Sequence, residues 1–336
     1  MELILKNFRC FQNKKIIFKK FPLIIIGPNG SGKTSFLEAL YFLSTSKSFR
    51  TREKNNLIKS DSNEAYLFLK LNSKNLEVFL FRDKPTVYKI NHKPSRRYNF
   101  INHFLGLTFW WGDFRLVYGS AQDRRRLINL LCLQIQPKYL EWLIKYKKVI
   151  KARNLALKKR DKNLVIIWSE KLAVIAEKIY RTRKRVIDEI NKGLKKYVYF
   201  LGAIKRHEAK VVYEGRCFEK NSFLKTLLKR INLEFEIGFT TLGPHRDDVS
   251  FLIDKRKLIS FSQGEMKIFL LILKLAFLGR IKNKLKIFMV DDWISGLDKA
   301  IIKKFAFLIK KQKIPLILTA QELVKGFSGQ IINFKK

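Results

Sequence analysis

The feature that most constrains this chain is an octapeptide near its start. Gly27-Pro28-Asn29-Gly30-Ser31-Gly32-Lys33-Thr34 fits the pattern GxxxxGK[ST]. The apolar run Leu23–Ile26 leads into it. A segment from about Lys33 to Ser44 leads out, with Phe36, Leu37, Leu40 and Leu43 forming a helical stripe. Strand, loop and helix in that order make an anion cradle. Glycines let the backbone curl until several N–H groups face one anion, and the helix N-terminus adds the positive end of its dipole. Lys33 is then placed for the β- and γ-phosphates of ATP, and the Thr34 hydroxyl for Mg²⁺. A plain glycine-rich turn would not need Lys and Thr at those two positions.

A phosphate loop alone does not separate a kinase from a GTPase, a motor or a switch. A second acidic element narrows the choice. Lys286–Val290 (KIFMV) reads as an apolar strand ending in Asp291-Asp292. Asp291 is expected to hold Mg²⁺ through water, and Asp292 to polarise the attacking water; the same pair also reads as strand-end carboxylates capping a turn. The pair lies so far beyond Lys33 that its strand must return across a large insertion. ABC-type ATPases of the SMC kind have that gap and most compact P-loop enzymes do not. Ser262-Gln263-Gly264, followed by Glu265 and an apolar helix, resembles an ABC signature, in which a Ser and a helix N-terminus grip a γ-phosphate. It also reads as an N-cap with a capping-box Glu three residues on. Ser295-Gly296-Leu297-Asp298 resembles the D-loop, so Asp298 joins the expected ATP-binding residues. The four elements stand in ABC order.

Between these motifs the texture changes twice. Ile16–Phe18 and Phe21–Ile26 read as strands, and Ala65–Leu71, Leu76–Phe81 and Val87–Ile90 as an antiparallel meander. Asp123–Gln134, Pro137–Lys159 and Leu164–Tyr199 are rich in Lys and Arg and nearly free of Gly and Pro, and read as helices. The last carries Leu172, Ile175, Ala176, Ile179, Val186 and Ile190 at three-four spacing. Strands are expected again at Glu234–Phe239, Val249–Ile253 and Pro315–Thr319, with helices at Gly264–Leu278 and Asp298–Lys311. The expected fold is α/β: an ABC-type P-loop ATPase head built from residues 1–114 and 236–336, with residues 115–235 inserted as a helical lobe.

A formal net charge of +42 over 336 residues directs such a chain toward polyanions, nucleic acid or an anionic membrane face. Gly and Pro are scarce while Phe, Lys, Ile and Asn abound. A/T-rich codons produce that bias too, so the sign of the charge carries more weight than its size. Candidate phosphate contacts are Arg124, Arg125 and Arg126, then Lys147, Lys148, Lys158, Lys159 and Arg160, and the cluster Arg181, Arg183, Lys184 and Arg185. No aromatic interleaving accompanies these helical positions, so phosphate contact rather than base reading is expected. Each also reads as part of a solvated helix face, and Arg124–Arg126 as a structural ion-pair cluster. Cys10, Cys132 and Cys217 form no CxxC pair, and the four histidines show no metal-ligand spacing. Lys6 and Arg9 fall too early for a signal-peptide core, and the longest apolar runs are far shorter than a membrane span. A soluble cytoplasmic protein, without a membrane partner, is expected.

Further strings carry a family resemblance over nearly the whole chain. They are Leu5-Lys6-Asn7-Phe8-Arg9, Lys47-Ser48-Phe49-Arg50, Phe109 to Val117, and Asp123-Arg124-Arg125-Arg126. Pro137-Lys138-Tyr139-Leu140, Arg153-Asn154 and above all Gly243-Pro244-His245-Arg246-Asp247-Asp248 continue the series. Together they resemble the RecF family of bacterial recombination-repair ATPases. The resemblance implies an ATP- and Mg²⁺-dependent protein that binds double-stranded and gapped DNA, acts with RecR and RecO to help RecA load, and hydrolyses ATP slowly. It also implies a homodimer closing head-to-head around two ATPs, which fits a chain offering one P-loop and one signature-like helix. Phe49 stands for the family's usual His, Trp111 and Gly112 for its Pro and Glu, and Glu265 for its usual Gln. Thr319 or Ala320 occupies the place of a transporter's switch histidine. Two other readings stay open here: a scaffold that binds DNA without hydrolysis, and a transporter's energy subunit, which predicts an LSGGQ signature, a Q-loop glutamine and a switch histidine.

Overall fold

The computed structural model describes residues 1–101, 103–197, 208–215, 219–282, 284–297, 299–310, 314–323 and 329–335. Its first element follows a period of two over Leu3 and Leu5, broken at Asn7, whose φ is 50°. In β1 (Glu2–Phe8) Leu3, Leu5 and Phe8 point inward, and β1 turns back on β2 (Phe11–Ile17) with Phe8 opposite Phe11. β3 (Leu23–Ile26) is apolar at every position, as a strand covered on both faces must be, and runs into α1 (Lys33–Thr45). β4 (Glu64–Leu71), β5 (Lys74–Phe81), β6 (Val87–Ile90) and β7 (Lys93–Ser95) then extend the first pair. The result is a six-stranded antiparallel sheet in the order β2-β1-β4-β5-β6-β7. A short α2 (Arg97–Phe100) leads to β8 (Leu105–Phe109), buried throughout.

The chain divides into two compact units, Met1–Asp113 with Ile281–Lys336, and Phe114–Arg280. The second unit begins with α3 (Arg115–Tyr118) and α4 (Ala121–Ile135), the latter opened by a capping box between Ser120 and Asp123. α5 (Tyr139–Lys158) packs along the 33-residue α6 (Lys162–Leu194), on which Leu172, Ala176, Ile179, Val186 and Ile190 are fully buried. After β9 (Ala209–Glu214), α7 (Lys220–Lys229) and α8 (Ile231–Ile237), the strands β10 (Asp248–Ile253) and β11 (Arg256–Lys257) pair in the order β11-β10-β9. α9 (Gln263–Arg280) closes the unit against α6; a Cβ on Gly193 would lie 2.5 Å from the Ala276 carbonyl.

Returning to the first unit, β12 (Lys286–Val290), α10 (Lys299–Lys310), β13 (Leu316–Ala320) and β14 (Gln330–Asn333) complete a parallel sheet. Its order is β14-β3-β13-β12-β8. β13 therefore sits between the strand that precedes the phosphate loop and the strand that ends at Asp291.

Two expectations need correcting. Glu234–Phe239 is not a strand, since its first part is the end of α8. Leu233-Glu234-Phe235-Glu236-Ile237 alternates apolar and acidic residues, which mimics a half-buried strand. In the folded chain Glu234 is the residue fully buried, while Leu233 and Ile237 are exposed. Gly238, at φ 77°, then terminates the helix. The expected boundary also placed residues 236–280 with the head. Here they belong to the second unit, because β10 pairs with β9 and α9 packs on α6. β7, β8, β9, β11, β14, α2, α3 and α7 lie outside the expected elements. The expected helix to Tyr199 ends in the structure at Leu194, and Val198, Tyr199, His207 and Cys217 lie outside the described residues. Among the described residues no helix is long and apolar enough to cross a membrane.

Candidate nucleotide site

The phosphate loop leaves β3 at the carboxyl edge of the parallel sheet, at the point where strand order reverses direction, the usual ligand crevice of an open α/β sheet. Gly32 is the N-cap of α1, with φ 93°. A Cβ there would fall 2.6 Å from the Phe11 ring, so only glycine lets the loop turn under the β1–β2 hairpin. Lys33 folds back along the loop, its Nζ donating to the carbonyls of Gly27 at 2.6 Å and Pro28 at 2.9 Å. The Ser31 hydroxyl is buried and has no hydrogen-bond partner among the described residues. A buried hydroxyl so left, at the N-terminus of α1, fits a phosphate group.

Opposite the loop, three side chains meet at the strand ends. Thr34 Oγ1 donates to Asp291 Oδ2 at 2.8 Å, and Thr319 Oγ1, from the end of β13, donates to Asp291 Oδ1 at 2.7 Å. Thr319 also accepts the backbone N–H of Asp292 at 2.8 Å, while the N–H of Asp291 donates to the Phe109 carbonyl of β8 at 2.8 Å. Asp291 is thus fixed from β3's loop, β13 and β8 at once. Burial pushes its carboxyl above the usual aspartate range, and the Thr319 and Thr34 hydroxyls pull it back. Burial likewise lowers the Lys33 ammonium, against the attraction of Asp291 and Asp292. Asp292 adopts φ 45°, in the left-handed region, with its side chain exposed beside the loop. The oxygen donors of Thr34 and Asp291 fit Mg²⁺, which takes one or two protein oxygens and fills its octahedron with water and phosphate. Thr319 is the residue whose part here went unforeseen: the sequence marks it as the substitute for a histidine, and the structure makes it the positioning residue for Asp291.

A buried carboxylate steadies the outer wall. Glu38 of α1 is wholly buried and takes a two-point contact from Arg9, Nε at 2.8 Å and Nη2 at 2.7 Å. The Ser48 hydroxyl also donates to it, and Arg50 lies 3.5 Å away. These contacts account for Arg9, Ser48 and Arg50. Phe49 packs on Trp110, with ring centroids 5.2 Å apart, and a Cβ on Gly112 would lie 2.1 Å from the Trp110 ring. Phe49 and Gly112 are therefore one packing solution, with the indole seated between them. No carboxylate is present at residue 112, while Asp113 accepts the N–H of Trp110 at 2.9 Å.

In the second unit, Ser262 is the N-cap of α9. Its N–H donates to Glu265 Oε2 at 2.7 Å, and its hydroxyl lies 3.4 Å from the Glu265 N–H, so a capping box occupies the signature-like Ser262-Gln263-Gly264. Asp298 lies outside the described residues. The basic candidates divide sharply. Arg124 makes a two-point contact to Asp248, 2.8 Å to each oxygen, and Arg125 donates to the Asp247 carbonyl. Arg126 pairs with Asp123 at 3.1 Å. Arg183 is buried against Asp247, Tyr139, Tyr213 and Pro244. Arg124, Arg125 and Arg183 thus hold the Gly243–Asp248 segment, the arrangement of a structural ion-pair cluster. His245 accepts or donates at both ring nitrogens, to Tyr146 and the Thr240 carbonyl, and burial pushes it down to about 4. Lys147, Lys148, Lys158, Lys159 and Arg160 are exposed, as are Lys184 and Arg185.

A parallel sheet with a phosphate loop, a strand-end carboxylate fixed to that loop across a large insertion, and a capped helix on the inserted unit define an ATPase head of the ABC type. The RecF/RecN/SMC N-terminal domain family matches residues 1–324. A DNA replication and repair protein RecF from Leptospira interrogans is 30% identical over 309 residues, 88% of this chain and 84% of its own length. One from Streptococcus uberis is 31% identical over 338 residues, 96% of this chain and 93% of that one. The chain belongs to the RecF family. A solved structure of the recombination mediator protein RecF with ATP, from the RecFOR pathway, superposes with a TM-score of 0.84 at 25% identity, covering 99% of this chain and 94% of that one. An Smc head domain from Pyrococcus furiosus, at TM-score 0.56 and 16% identity, shares the fold.

Proposed function

We propose that this chain is an ATP-dependent DNA-binding protein of recombinational repair and replication, whose two copies close head-to-head around ATP on duplex or gapped DNA. The observation that carries the reading is the Thr34–Asp291–Thr319 arrangement, which joins the phosphate loop to the second acidic strand. ATP would exchange the Gly27 and Pro28 carbonyls for phosphate oxygens at Lys33, and fill the cradle around Ser31. Mg²⁺, held by Thr34 and Asp291, would neutralise charge on the phosphates. Asp292 is the acceptor for the proton of an attacking water. Thr319 is hydrogen-bonded to Asp291 and supplies no imidazole, which favours slow turnover. Ser262, Gln263, Gly264 and Asp298 of one copy complete the site of the other. Lys147 and Lys148, exposed on α5, and the exposed Arg126 are the leading phosphate contacts, Arg124 and Arg125 being engaged in the lobe's own ion pairs. RecR and RecO are the expected partners, and RecA loading the expected outcome.

The test is mass in solution and DNA affinity measured together. ATP with Mg²⁺ is expected to double the molar mass and to raise duplex affinity, ADP to do neither, and affinity to fall steeply with salt as counterions are released. A chain that stays monomeric with saturating ATP, Mg²⁺ and duplex would overturn the reading.

Glu265 sets the strength of that closure. Its carboxylate lies in the first turn of α9, where it satisfies the helix but opposes an incoming triphosphate. Glu265→Gln keeps an acceptor for the Ser262 N–H and removes the charge. With about 0.2–1 kcal/mol of surface like-charge repulsion relieved at each of two equivalent sites, ATP-driven dimerisation is expected to tighten roughly tenfold, read by sedimentation at a series of protein concentrations.

A further inference from the structure

The outer face of the six-stranded sheet carries a surface that the nucleotide site does not use. β4 alternates strictly: Ala65, Leu67, Leu69 and Leu71 are buried, while Tyr66 and Phe68 are half-buried on the opposite face and Lys70 is exposed there. Pairing registers place Phe79 of β5 beside Tyr66, and Val87 of β6 beside Phe79. On the other side of β4, Lys6 lies beside Tyr66 and Ile4 beside Phe68. The Tyr66 and Phe68 rings stand nearly parallel, 25° apart with centroids separated by 6.5 Å, and Tyr66 contacts Phe79 at 4.8 Å. The spacing of the first two rings is the two-residue step of a strand, so each offers its own platform.

The charges around these rings are mainly cationic. Lys6 and Lys70 are exposed, and the Lys89 ammonium lies 4.9 Å from the Phe79 ring centroid. Of the acids on the same face, Glu2 is paired with Lys15 at 2.8 Å. Glu77 is nearly buried beneath the Tyr66 hydroxyl at 3.0 Å and His92 at 2.9 Å. Glu64 is exposed on the same face at the end of β4, two residues before Tyr66, at the edge of the patch. A face that needed only to meet water would not set aromatic rings side by side and ring them with lysines.

We propose that the outer face of this sheet, centred on Tyr66, Phe68 and Phe79, binds single-stranded DNA by base stacking, with Lys6, Lys70 and Lys89 on its phosphates. Sheet-borne aromatics that stack successive bases while cations track the backbone are a recurrent way of holding single strands. This rests on the reading of the chain as a DNA-directed protein, and adds a site for the unpaired strand of a gap. Duplex DNA, whose bases are stacked on one another, has no use for these rings.

The test is an anisotropy titration of the full chain with labelled oligo-dT, with an abasic strand of equal length, and with duplex. Oligo-dT is expected to bind more tightly than the abasic strand. Phe68→Val retains β propensity but removes the ring, and is expected to weaken oligo-dT binding about tenfold. Phe68→Trp should restore it to within about twofold, and neither change should move duplex or ATP affinity. Lys6→Ala with Lys70→Ala should flatten the salt dependence for oligo-dT by about 1.4 in log–log slope. Equal affinity of Phe68→Val and the parent for oligo-dT, or equal binding of the abasic strand, overturns the proposal and makes the rings part of the sheet's own packing. Duplex binding without any oligo-dT binding removes this site alone; loss of duplex binding in the parent removes the broader reading with it.

Discussion

Lys33→Ala is expected to lower ATP affinity by about a hundredfold or more while leaving the chain folded. The ammonium is nearly buried, and its two carbonyl acceptors, Gly27 and Pro28, belong to the loop it must serve. In a water-poor cradle, a charge-assisted bond to phosphate contributes about 1.5–3 kcal/mol. Lys33 reaches two phosphate groups, so the loss compounds toward a hundredfold. The penalty to folding is smaller, because the loop carbonyls it leaves can turn to water. Lys33→Arg sharpens the argument: it keeps the charge but places a planar fork where a point charge fits, and should recover only part of the affinity. Calorimetric titration with ATP and Mg²⁺ reads the binding, and thermal melting without nucleotide shows that the fold persists. Closure should disappear together with affinity, so ATP is expected to change neither mass nor duplex binding in Lys33→Ala. An undiminished ATP affinity would mean that the phosphates lie elsewhere.

The parts of this molecule that the sequence reveals are those in which one local signal has one structural consequence. A uniformly apolar LIII before GPNGSGKT has few uses other than a central parallel strand entering a phosphate loop, and KIFMV-Asp291 reads in the same way. The long helices of the second unit announce themselves by period, as at Leu172, Ile179 and Val186. Failures fall where burial depends on a distant partner. Glu234 looks like the outward position of a strand because nothing near it in sequence shows that Arg153, 2.7 Å away, and Thr241 will receive it. Arg124 and Arg183 look like DNA contacts because their carboxylates, Asp248 and Asp247, come from a segment far along the chain. Phe49 and Gly112 look like two separate departures from a family pattern, and only the Trp110 ring between them shows that they are one. Thr319 is legible as the absence of a histidine; its hold on Asp291 needs the order of strands in the sheet.

Arg183→Met is expected to destabilise the second unit by about 3–5 kcal/mol, the largest stability effect of any single change in the basic clusters. The guanidinium donates to the Pro244 carbonyl at 2.7 Å, to Asn129 at 3.0 Å, to the hydroxyls of Tyr139 at 3.1 Å and Tyr213 at 3.3 Å, and to Asp247 at 3.3 Å. A methionine fills the volume and satisfies none of them. Asp247 suffers most: burial already pushes its carboxyl up to about 6 with Arg183 and the Tyr213 hydroxyl helping to keep it ionised. The folded chain therefore holds that proton more firmly than the unfolded chain, so Asp247's contribution to stability is largest in acid and fades as pH rises through about 6. Removing Arg183 drives the carboxyl higher still and extends the fading toward neutral pH. Urea unfolding should accordingly show a larger deficit for Arg183→Met at pH 8 than at pH 5.5. Arg183→Met combined with Asp247→Asn should recover part of the loss, since the uncompensated charge is gone, and the coupling between the two sites should be well above the few tenths expected of independent residues. Lys184→Ala and Arg185→Ala, exposed on the same turn, should each stay within about 0.5 kcal/mol. At a temperature where it remains folded, Arg183→Met should bind duplex DNA as the parent does, because the guanidinium is buried inside the lobe, away from any phosphate in solution.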